Sequence, residues 1–190
     1  MSLTVDAKTT ALVVIDLQRG ILARDVTPHK SADVLARSAQ LANAFRKAGA
    51  LVVLVRVAFS SDDRDRLRPQ SDQNVTPPGP MAPDFADIAP ELGPKPGDVV
   101  ITKRNWGAFY GTELDLQLRR RGIRTLVFTG IATNIGVESS ARDAYERGYE
   151  TIFVEDAMAS LIPDGHEFAV AKIFPRMGRV RKLADVLAAL

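Results

Sequence analysis

The chain has 190 residues, of which 46% are hydrophobic and 25% charged, and a formal net charge of +2. These values describe one soluble globular domain, 1–190, large enough for a full core and without the charge excess that would favour nucleic acid. Cysteine is absent, which excludes disulfides, thiolate metal sites and thiol catalysis.

The opening MSLTVDAKTT has neither a basic segment nor an apolar one, so no signal peptide is expected. ALVVIDL (11–17) is the first of several short runs that are apolar at consecutive positions, the pattern of a parallel strand covered on both faces. SADVLARSAQLANAFRKAG (31–49) places apolar residues at helical spacing and ends in glycine, and ALVVLVRV (50–57) is the next strand. Even this run is far too short to span a bilayer. Residues 68–97 hold eight of the eleven prolines and no periodicity, which predicts a long irregular excursion acting as a lid, a binding loop or a subunit contact. DVVITK (98–103) is a third strand, GTELDLQLRRRG (111–122) a helix and TLVFTGI (125–131) a fourth strand. Arg119, Arg120 and Arg121 close that helix, where cations complement its dipole, so they read as structural rather than as a nucleic-acid patch. NIGVESSARDAYERG (134–148) is helical, ETIFVED (150–156) a strand, and DGHEFAVAKIF (164–174) helical. RVRK (179–182) adds an edge strand and LADVLAAL (183–190) a final helix. Repeated strand–helix units predict an α/β fold: three αβα layers, doubly wound on a mostly parallel sheet of five or six strands.

In such sheets ligands bind outside the carboxyl ends of the strands. The polar residues there are Asp16 and Gln18, Arg56, Lys103 and Arg104, Thr129 to Asn134, and Glu155 with Asp156. Asp16 reads equally as a cap or partner of a buried charge and as a catalytic carboxylate, and Lys103 has the same two readings. A carboxylate and an ammonium from different strands can share a proton-transfer task, each tuning the other's pKa. TGIATNIGVESSARDA (129–144) looks like a strand turning tightly into a helix, whose N-terminus would favour a nucleophile or an anion. The residue best placed there is Gly136, which has no side chain. GIATNIG lacks the G-x-G-x-x-G spacing and no lysine follows it, so no dinucleotide or P-loop cofactor is expected. His29 and His166 sit in separate segments without a ligand-like spacing, and no metal site is expected.

Three stretches, ALVVIDLQRGIL, ITKRNWGAFYGTELDLQLRRRGI and TGIATNIGVESSARDAYERGYETIFVEDA, occur in a specific order. They resemble the opening D-x-Q strand, the lysine strand with its helix, and the nucleophile segment of the isochorismatase-like hydrolases, which include nicotinamidases and carbamoylases. The resemblance covers almost the whole chain. It implies the family's α/β sandwich and a triad in which Asp16 falls on the aspartate, Lys103 on the lysine and Gly136 on the cysteine. It also implies a cis peptide between Ile131 and Ala132, and an apolar pocket wall from Trp106 and Phe109. Gln18, Ile131, Ala132, Thr133 and Asn134 are further substrate-binding candidates. Zinc-binding nicotinamidases carry Asp-x-His after the second strand, where RVAFSSDDRD stands here, so that metal dependence is not expected.

Glycine cannot be a nucleophile, and Ser139 and Ser140, a turn further on, lack a histidine partner. True isochorismatases also dispense with a thiol: they protonate a vinyl ether, and water attacks the resulting oxocarbenium ion. On that pattern Asp16 is the general acid/base, Lys103 orients substrate and stabilises charge, and Gly136 leaves room. The helix start ATNIGVESSARD resembles the amidase-like branch with its cysteine replaced. The expectation is a cytoplasmic hydrolase of a small, anionic or carbonyl-bearing molecule, homo-oligomeric as a dimer or tetramer, with no nucleic-acid or membrane partner. The alternative is a catalytically inactive relative that keeps its pocket to bind a small ligand.

Overall fold

The computed structural model describes residues 3–73 and 81–190. Six parallel strands form one sheet in the order β3-β2-β1-β4-β5-β6. They are β1 (Thr10–Ile15), β2 (Leu51–Val57), β3 (Val99–Lys103), β4 (Thr125–Ile131), β5 (Glu150–Ala159) and β6 (Arg179–Arg181). The helices are α1 (Arg19–Leu22), α2 (Ser31–Lys47), α3 (Leu114–Arg120), α4 (Glu138–Glu146), α5 (Gly165–Phe168), α6 (Phe174–Met177) and α7 (Leu183–Ala189).

The layers follow from the strand period of two. β1 is buried along its whole length. Its residues Ala11, Val13 and Ile15 face one core with Leu118 of α3, Ala141 of α4 and Phe174 of α6. Leu12 and Val14 face the opposite core with Val34, Leu41 and Phe45 of α2 and Val186 of α7. The fold is therefore the three-layer, doubly wound αβα sandwich expected from the alternating pattern, with all six strands parallel.

Several elements depart from the sequence pattern. The helix expected over 164–174 is broken: α5 passes through a π-type turn (Ala169–Ile173) into α6, which starts afresh with Pro175 in its first turn. Proline has no N–H for the preceding turn but suits a helix start. β5 runs past Asp156 to Ala159 because it carries an irregularity, with Phe128 opposite Phe153 but Gly130 opposite Met158. In the Pro-rich excursion, residues 74–80 lie outside the described residues, and 81–97 carry no helix or strand beyond one bridge from Ile88 to Gln18. Phe85, Ala89 and Leu92 are nevertheless buried. Arg46 of α2 clasps its end, pairing with Asp98 at 2.7 Å and donating to the Leu92 carbonyl at 2.6 Å. Among the described residues no helix is long and apolar enough to cross a membrane.

Phe153 is fully buried, stacked between Phe174 at 4.0 Å and Phe128 at 5.9 Å between ring centroids. Phe153→Ala should therefore cost about 3–5 kcal/mol, the usual loss for an aromatic removed from a packed core. Chemical denaturation checks it as a lowered midpoint at unchanged slope.

Candidate active site

The chain leaves β1 towards β2 and β3, then returns to the other side of β1 for β4, so the order reverses between β1 and β4. The crevice beyond the carboxyl ends of those two strands is where an open parallel sheet holds its ligands. Asp16 directly follows β1 and turns the chain with φ 53, a left-handed conformation that Asp tolerates better than most residues. Its N–H donates to the Val55 carbonyl at 2.9 Å, and its own carbonyl accepts from Gln18 N–H at 2.9 Å. Across the crevice β4 ends through Gly130, at φ 120. A Cβ there would stand 2.1 Å from the Ile15 carbonyl oxygen, so only glycine lets β4 run this close to β1. The next peptide, Ile131–Ala132, is cis, as the family resemblance implies. The chain then makes a π-type turn (Thr133–Val137) and enters α4.

Lys103 ends β3, two strands from β1, a separation of roughly 10 Å that only a long side chain can bridge. Its Nζ reaches Asp16 Oδ2 at 2.8 Å, and both side chains are almost wholly buried. Lys103 also donates to the carbonyls of Asn105 at 3.0 Å and Trp106 at 2.9 Å. Its three N–H groups are thus engaged by one carboxylate and one loop. The other Asp16 oxygen, Oδ1, is buried and has no hydrogen-bond partner among the described residues. Burial pushes the Asp16 carboxyl above the ordinary carboxylate pKa, and this outweighs the Lys103 ammonium, which pulls it down by charge and by hydrogen bond.

Gly136 sits in the π-type turn with its backbone outside the left-handed region. A Cβ added there would meet Ile15 Cγ2 at 3.0 Å, Asp16 Oδ2 at 3.2 Å and the Trp106 carbonyl oxygen at 3.5 Å. The structure thus brings Asp16, Lys103 and Gly136 together. Ser140 fixes this arrangement: its hydroxyl donates to the Gly136 carbonyl at 2.6 Å and accepts from the Ala108 N–H at 3.0 Å. A serine four residues after a glycine carbonyl is the back-bonding spacing that could have revealed this role.

The other candidates are more dispersed. Gln18 is fully buried and spends its whole amide on backbone, donating to the Val57 and Phe85 carbonyls at 2.9 and 3.0 Å and accepting from Val57 N–H at 2.8 Å. It is a strut between β2 and the excursion. Trp106 is 61% exposed, whereas Phe109 is buried in the core against Tyr149. The reason is the fixed loop: Thr112 Oγ1 donates to the Ala108 carbonyl at 2.6 Å and turns the chain so that Phe109 points inward. Ile131 and Ala132 are buried in the core that α2 covers. Thr133 and Asn134 point behind the turn, Thr133 Oγ1 lying 2.9 Å from His166 Nδ1 and Asn134 Oδ1 accepting from Ser160 Oγ at 2.7 Å.

A model of the isochorismatase domain matches residues 10–185. The chain belongs to the isochorismatase family of hydrolases. It is 47% identical over 187 residues to the isochorismatase family protein YwoC of Bacillus subtilis, covering 98% of this chain and 96% of that one. It is 36% identical over 213 residues to the ureidoacrylate amidohydrolase RutB of Methylorubrum extorquens, covering 97% and 84%. The solved structure of an isochorismatase family protein from Burkholderia thailandensis superposes with a TM-score of 0.93 at 48% identity, over 98% and 97% of the two chains.

Two consequences for this isochorismatase-family chain are measurable. Gly136→Ala meets no backbone penalty, so its crowding cost of about 1–3 kcal/mol is set against the gain of about 1 kcal/mol for alanine in a helix. A folded variant less stable by up to about 2 kcal/mol is expected by chemical denaturation. For Asp16, the folded protein holds its proton more tightly than the unfolded chain does. Wild-type stability should therefore fall relative to Asp16→Asn as pH rises from the ordinary carboxyl value of 3.8 to the raised folded value, and the difference should level off above it. Denaturation midpoints of both proteins across that range give the sign directly.

Proposed function

We propose that this chain is a thiol-independent hydrolase of a small, anionic or carbonyl-bearing molecule, with Asp16 as its general acid/base. The observation that carries the reading is the state of Asp16: buried, raised in pKa by that burial, with Oδ2 beside Gly136 and Oδ1 without a hydrogen-bond partner among the described residues. Burial shifts the carboxyl towards its protonated form, the direction that a general acid requires. In the proposed cycle Asp16 gives its proton to the substrate, water adds to the activated carbon, and the carboxylate takes a proton back from that water. The hydrated adduct then collapses, breaking its bond to the leaving group, which departs with a proton from an adduct hydroxyl. Gly136, at the position matching the family cysteine, brings no side chain against Asp16 Oδ2, which a Cβ there would approach to 3.2 Å. Lys103 stabilises charge and holds Asp16 in place, acting on substrate through the carboxylate rather than by a free N–H. In this reading Trp106, Ile131 and Ala132 bound the space beside Asp16. The ureidoacrylate amidohydrolases among the relatives support a carbonyl-bearing substrate class. A cytoplasmic homo-oligomer, dimer or tetramer, is the proposed setting. Exposed Trp106 and Tyr110 offer a second copy an apolar surface.

The alternative, a ligand-binding relative without activity, draws on the absence of any cysteine and on the engaged N–H groups of Lys103. Thermal-shift screening against small acids and amides, followed by turnover assays of the hits, separates the two. The hydrolase reading expects a hit to be turned over, with kcat lowered about 100-fold or more in Asp16→Asn, the usual share of a general acid. The wild-type rate should decline as pH rises through the raised Asp16 pKa. Tight binding with no turnover at any pH would leave the ligand-binding reading.

A further inference from the structure

The two histidines, which the sequence keeps far apart, meet in the fold. His29 lies in the loop before α2, and that loop is fastened to the end of β5 by Thr27 N–H to the Ser160 carbonyl at 2.9 Å and Ser160 N–H to the Thr27 carbonyl at 2.7 Å. Glu155 projects from the irregular stretch of β5, and His166 from α5. The rings of His29 and His166 meet edge to face, 5.6 Å between centroids. Both direct Nε2 at the same oxygen, Glu155 Oε2, at 3.8 and 3.9 Å.

We propose that His29, Glu155 and His166 bind one divalent transition-metal cation, with zinc the best match to the ligand set. Two imidazoles and a carboxylate are a set that zinc takes with a fourth position left open. The three donor atoms lie within 4.8 Å of one another. A cation in the plane of the three donors and equidistant from them sits at most about 2.5 Å from each, so there the ligands need to close by only a few tenths of an ångström to reach zinc bond lengths. His166 is 4% exposed and anchored through Nδ1 to Thr133 Oγ1, which leaves Nε2 as the nitrogen facing Glu155. Fixing the far nitrogen of a ligand histidine in this way is the usual outer-shell support of a metal site. Against the cation stands Lys182, whose ammonium contacts Glu155 Oε1. That side chain is 62% exposed and contacts the other carboxylate oxygen, so it can swing into solvent while Oε2 binds. A bound ion would join the 27–30 loop, β5 and α5 and, through Thr133, brace the turn that carries Gly136. None of these residues belongs to the Asp16–Lys103 pair, so the proposal stands apart from the hydrolytic reading.

The composition makes the test specific. The whole chain contains two histidines, both in this cluster, and no cysteine. Tag-free, EDTA-stripped full-length protein is titrated with zinc chloride by calorimetry, and its melting temperature is read with and without the ion. Binding of one equivalent and a raised melting temperature are expected. His29→Ala, at a partly exposed loop position that should not compromise folding, should weaken binding by at least about tenfold and remove the thermal shift. Thr133→Val should weaken binding about tenfold or more through loss of the outer-shell contact. Lys182→Ala should tighten binding by removing the competing ammonium. Absence of saturable binding below about 1 mM zinc, or His29→Ala binding as tightly as wild type, overturns the proposal.

Discussion

The arrangement depends on one buried ion pair, Lys103 Nζ on Asp16 Oδ2 at 2.8 Å. Removing either partner from such a pair leaves an uncompensated charge in the interior, which costs far more than a surface contact of the same length. The pair also organises its surroundings. Lys103 pulls the Asn105 and Trp106 carbonyls onto its ammonium, and that loop presents the Ala108 N–H to Ser140. Ser140 in turn holds the Gly136 carbonyl. A continuous set of hydrogen bonds therefore runs from the end of β3 to the turn after β4, with Asp16 between them.

The same pair sets up an electrostatic contest. The ammonium favours a charged carboxylate, whereas removal from water favours a neutral one. Burial is the larger influence at Asp16. One oxygen faces the cation and the other has no partner among the described residues, so the carboxyl keeps a capacity that those residues do not use. Lys103 is the reverse case, with every N–H engaged within the protein.

Behind the crevice, polar side chains serve the scaffold. Gln18 joins β2 to the excursion, Asn134 holds Ser160, and Thr133 touches His166. The turn that carries Gly136 is thus supported from both sides, by Ser140 towards the crevice and by the histidine cluster on the other face. Its position leaves little slack, since even a single Cβ at Gly136 would press on Ile15 and Asp16.

The αβα sandwich was legible in the sequence because its cause is local: consecutive apolar residues make strands buried on both faces, and helical spacing makes the covering layers. Asp16 and Lys103 were legible as strand-end polar residues, and the family motifs paired them with Gly136. The tertiary structure decided what depends on distance and desolvation. Burial prevails over the Lys103 charge at Asp16, Gln18 spends its amide on backbone, and Phe109 turns into the core while Trp106 stays exposed. The meeting of His29, Glu155 and His166 belongs to the same class. These residues lie in three separate segments with no shared spacing, and only the packing of the 27–30 loop and α5 against the irregular end of β5 brings them within reach of one another.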